Sequence, residues 1–202
     1  TDVPGLVYSW LRERWSALLL LGVAALIAGH REQRTTAGRH LREGLALPIE
    51  NLTDRENRDF LVAAHALSLE QSGESRQAML RLAGLIPRPV NEMTLTHQWL
   101  PDLVRLALTV GERDIAQAAA EACQVEAAAG TRPAAASLRC YGLLESDPER
   151  LREAVAHYRA VGPAVELPAA LEDLAVVLAE RGHEEDARAA LNEAVGRYEG
   201  MG

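Results

Sequence analysis

Leu171-Glu-Asp-Leu-Ala-Val-Val-Leu-Ala-Glu-Arg-Gly182-His-Glu-Glu-Asp-Ala187-Arg-Ala-Ala-Leu191-Asn-Glu-Ala194 is the stretch that decides the fold. Leu171, Leu174, Ala175 and Leu178 recur at the three- and four-residue spacing that puts apolar groups on one helical face. Gly182 interrupts that helix, and Glu184, Glu185 and Asp186 open a second one, where carboxylates favour the positive end of the macrodipole. Ala187, Leu191 and Ala194 give the second helix its own apolar face. Two helices joined by so short a turn run antiparallel. Small residues such as Ala175 and Ala187 then suit the crossing point, where they let the backbones approach while leucines fill the space beside them. His183 beside three acids does not make a zinc motif, because a helical metal pair needs a second His one turn on and position 187 is Ala.

The same punctuation recurs upstream at Ser72-Gly73-Glu74, Val110-Gly111-Glu112 and Asp147-Pro148-Glu149, at spacings close to 36 residues. Around Gly73 the frame holds Ala66, Leu69, Ala78 and Leu82; around Gly111 it holds Leu100, Val104, Ala107, Ala116 and Ala120. A third unit is looser: Gly142, Ala154 and Tyr158 align, but the turn at Asp147-Pro148 comes earlier than the glycine of the frame. At the N-terminus Leu18, Leu21, Gly22, Ala25 and Gly29 fit a first helix, whereas Ala37 and Leu41 fit a second only after an insertion of three residues. Size classes at these offsets resemble the tetratricopeptide repeat, whose period is 34 residues. The expected fold is all-α, a tetratricopeptide-like solenoid of about five antiparallel hairpins and ten helices in right-handed superhelical stacking. The expected division is a degenerate N-terminal hairpin over 1–50, followed by repeats at about 56–87, 96–130, 133–162 and 165–200 within 51–202. The stretch from Ala46 to Leu52 is read as the break between them.

Composition removes several chemistries. The chain of 202 residues contains no lysine, so all 21 of its basic side chains are Arg. A phosphate-binding Walker loop and a Schiff-base enzyme both need a lysine. A net charge of −8 without a basic block argues against wrapping nucleic acid, since nonspecific affinity comes from cations on phosphates. The most basic stretch, Arg31 to Arg42, is interrupted by Glu32 and lacks aromatic residues to stack on bases, and it reads as a solvated face. The apolar run from Trp15 to Gly29 falls short of the roughly 20 residues a membrane span needs. The two cysteines, Cys123 and Cys140, lie in apolar helical stretches on neighbouring helices and read as buried small hydrophobes in a reducing cytoplasm. No catalytic spacing, metal set or cofactor motif stands out, and a non-enzyme is expected.

Tyr141-Gly-Leu-Leu-Glu-Ser-Asp-Pro148, Glu153-Ala-Val-Ala-His-Tyr158 and the stretch from Leu171 to Ala194 together resemble the helical-repeat segment of large ATP-binding transcriptional regulators of the LuxR class in actinobacteria. In that family a nucleotide-binding domain precedes the helical repeats and a helix-turn-helix follows them. The resemblance implies a non-catalytic protein-binding or effector-sensing module of a multidomain regulator. A stand-alone cytoplasmic adaptor and a small-molecule-binding protein or enzyme with its site in the groove are the alternatives.

In tetratricopeptide arrays the first helices line a concave groove. Counting along the frames, that groove comprises Phe60, Ala63, Leu67, Gln98, Arg105, Leu108, Arg139, Leu143, Glu172 and Val176. A mostly apolar groove with two arginines suits an amphipathic helix, another domain of the same chain or a hydrophobic effector. Direct contact with nucleic acid or membrane is not expected. Leu191, Ala194 and Tyr198 are expected to remain uncovered and to support a homodimer through the C-terminal face.

Overall fold

The computed structural model describes residues 16–50, 52–86, 96–162 and 165–200, and every regular element among them is helical. The chain divides into two compact units, 1–85 and 86–202.

The first unit contains α1 (Ala17–His30), α2 (Arg34–Leu45), α3 (Leu52–Gln71) and α4 (Ser75–Ala83). α1 packs on both α2 and α3, and α3 packs on α4. Leu18, Ala25, Leu41, Leu61 and Ala64 form a buried cluster with Leu21, Leu26 and Leu47 against it. Gly22 and Gly29 on α1 set how close α3 comes: a Cβ on Gly22 would lie 2.6 Å from that of Phe60, and one on Gly29 would lie 2.9 Å from Leu67 Cδ2. The break expected at Ala46 to Leu52 therefore falls inside this unit, and α3–α4 belong with the N-terminal hairpin. No helix among the described residues is long and apolar enough to cross a membrane.

The second unit contains a 3₁₀ turn (Thr96–Gln98), α5 (Leu100–Thr109), α6 (Arg113–Glu126), a second 3₁₀ turn (Ala127–Ala129), α7 (Thr131–Leu144), α8 (Pro148–Ala160), α9 (Glu166–Glu180) and α10 (Glu184–Gly200). α5 packs on α6 and α7, α7 on α8 and α9, and α9 on α10; α6 also meets α7, and α8 meets α9. Three helix pairs are thus stacked, each second helix meeting the first helix of the next pair and the first helices meeting one another.

One turn geometry closes all five helix pairs. Glu32, Gly73, Gly111, Ser146 and Gly182 all have positive φ, at 56°, 81°, 82°, 53° and 80°. Each donates its N–H three residues back, and the next residue donates five residues back: Gln33 to Ala28, Glu74 to Leu69, Glu112 to Ala107, Asp147 to Gly142 and His183 to Leu178, over 2.7 to 2.9 Å. This is the Schellman arrangement, which satisfies the carbonyls left free at a helix end.

The shared turn corrects two readings of the sequence. Counted from Glu32, the N-terminal pair follows the frame through Leu21, Ala25, Ala28, Ala37, Leu41 and Gly44 with no insertion. The third unit is likewise in register, because Ser146 occupies the glycine position and Asp147 caps α8, accepting from Glu149 N–H at 2.9 Å. Sequence reading missed both turns because it looked for glycine, and here glutamate and serine take the left-handed conformation.

Candidate functional site

The second unit carries the most organised polar cluster among the described residues, and it lies across its three first helices. Arg139 of α7 is only 2% exposed. Its Nε donates to Asp173 Oδ2 of α9 at 2.5 Å, and its Nη2 donates to Asp102 Oδ1 of α5 at 3.0 Å. Arg105 approaches the same Asp102 oxygen at 3.9 Å. The frame explains the symmetry: Asp102 and Asp173 each lie nine residues before their turn glycine, and Arg139 lies seven before Ser146. Residues equivalent to Arg139 elsewhere are Ala25, Ala66, Val104 and Ala175, all buried and apolar.

Burial dominates the electrostatics of this cluster. Desolvation pushes the Asp173 carboxyl above its ordinary 3.8, with the Arg139 charge and hydrogen bond pulling the other way. Burial also works against the Arg139 cation, but the two carboxylates outweigh it and hold the guanidinium protonated. A charge out of water needs paired and fully hydrogen-bonded surroundings, and Arg139 has carboxylates on both sides. Arg139 was expected to face a ligand in the groove; instead it is enclosed, with its charge engaged inside the fold.

The remaining groove residues fall in different settings. Phe60 and Leu67 belong to the first unit, half-buried where α3 approaches Gly22 and Gly29 of α1, and Ala63 is buried. In the second unit Gln98 sits half-buried in the 3₁₀ turn, Arg105 and Leu108 are half-buried on α5, and Leu143 is buried. Glu172 and Val176 are exposed on α9, and Glu172 accepts from the Tyr198 hydroxyl at 3.0 Å. The open positions of the second unit are therefore Arg105, Leu108, Glu172 and Val176 around the buried Arg139. Asp102 and Asp173 went unnoticed in the sequence, where the available signal was an acid set among the leucines of a first helix, as in Leu171-Glu-Asp-Leu174.

Two further features frame the unit. Thr96 and His97 grip the Glu126 carboxylate at the end of α6: the Thr96 hydroxyl donates to it, the His97 N–H donates at 3.1 Å, and His97 Nδ1 lies at 3.0 Å. On the second helices, Arg152 pairs with Asp186 at 3.0 Å and Arg159 pairs with Glu193. Those pairs rim a cleft of about 370 Å³ floored by Leu171, Leu174 and Leu178, which shares no residue with the expected groove. Cys123 and Cys140 do come together; burial first, and then the hydrogen-bonded Cys123 thiol, push the Cys140 thiol well above its ordinary value. A thiol so protonated is a packing group rather than a nucleophile.

Compared with protein-family models, with curated proteins and with solved structures, the chain matches none.

Proposed function

We infer that the chain is a tetratricopeptide-like helical-repeat module that binds a protein partner or another domain of its own chain. The observation that carries this reading is the recurrence of one hairpin. Three ion pairs, Arg139–Asp173, Arg152–Asp186 and Arg159–Glu193, each span 34 residues and join equivalent helices of the last two pairs. Stacked hairpins of this kind make a right-handed superhelix whose first helices offer a preformed surface, and such modules work by shape rather than by chemistry. In the second unit that surface presents Arg105, Leu108, Glu172 and Val176. Arg139 acts behind it as a positioning residue, tying α5 and α9 to α7.

The resemblance to LuxR-class ATP-binding regulators gives the module its proposed setting, a cytoplasmic multidomain transcription regulator. Photo-crosslinking residues placed at Leu108 and Val176, in the product of the whole open reading frame, test both parts. Discrete crosslinks from these two positions but not from Glu153 on α8 support the partner surface, and equal labelling from Glu153 contradicts it. The regulator setting stands if the reading frame encodes a nucleotide-binding domain upstream and a helix-turn-helix downstream, and it falls if it encodes neither.

A further inference from the structure

We draw no further inference here: the strongest candidate, the cleft between α8 and α10 rimmed by the Arg152–Asp186 and Arg159–Glu193 pairs, has its charges already paired and its floor leucines already buried by neighbouring helices, and the α10 stripe of Leu191, Val195 and Tyr198, beside which Ala194 is buried rather than open as expected, has nothing in the structure to show what covers it.

Discussion

Ser146 and Glu32 do the work that glycine does at the other three turns. A left-handed residue with a Cβ carries about 1–2 kcal/mol of strain, whereas glycine adopts the conformation freely at an entropic cost. Ser146→Gly should therefore stabilise the chain by about 0.5–1 kcal/mol in urea unfolding, the difference between those two effects. Gly182→Ala should destabilise it by about 1 kcal/mol. Arg139 poses the opposite problem, a cation in a place that other hairpins fill with alanine or valine. Removing one partner of a buried ion pair costs about 3–5 kcal/mol, so Arg139→Ala should be severe. Its pH dependence has a definite sign. Asp173 already sits above its ordinary 3.8 through burial, and losing the arginine raises it further. A carboxyl raised in the folded state stabilises the fold at low pH, and that contribution is lost as pH rises through the folded value. The unfolding free energy of Arg139→Ala should thus recover, relative to the parent, as pH is lowered from about 7 toward 4. Adding Asp173→Ala should restore stability at neutral pH, and a double variant as unstable as the single one would mean that the pair is not what Arg139 contributes.

Helix pairing depends on a size match across each turn. Counted from the turns, the residue three before the helix cap and the one nine positions later are Ala28 and Ala37, Leu69 and Ala78, Ala107 and Ala116, and Leu178 and Ala187, with alanine on the second helix each time. In α7–α8 the small residue is on the first helix and the large one on the second, Gly142 with Leu151, and there a Cβ on Gly142 would lie 2.7 Å from Leu151 Cγ. Gly142→Ala should cost about 1–3 kcal/mol as an overpacked crossing, and Leu151→Ala in the same chain should relieve much of that. Losses that simply add in the double variant, as they do for independent sites, would show that the two positions are not in contact. This reversal is also why the third unit looked distorted as a sequence: the frame expects its small residue on the second helix, and here it is on the first. The existence of the hairpins was legible from the leucine and alanine spacing. The N-terminal register was not, because Gly22 and Gly29 imitate frame positions while serving the approach of α3 to α1.

The two compact units set what each part of the chain can do alone. Since the helix contacts of α5 to α10 close within 86–202, that segment should fold without the first 85 residues, with helical circular dichroism and a cooperative thermal transition. An unfolded segment would contradict that division. Long-range organisation was the least legible part of the sequence. The break was sought at Ala46 to Leu52 because loop-like residues gather there, but a boundary depends on which apolar faces meet. The groove was legible as positions and not as environments: Val176 and Glu172 are open, whereas Arg139 is consumed by two acids that lie 37 residues before it and 34 after it. What unites the molecule is the single turn that closes each helix pair, and backbone chemical shifts read that turn directly. Left-handed torsions at Glu32 and Ser146, matching those at Gly73, Gly111 and Gly182 and each flanked by helix, are the expected result. A right-handed or extended backbone at either Glu32 or Ser146 would contradict the common frame on which the hairpin recurrence rests.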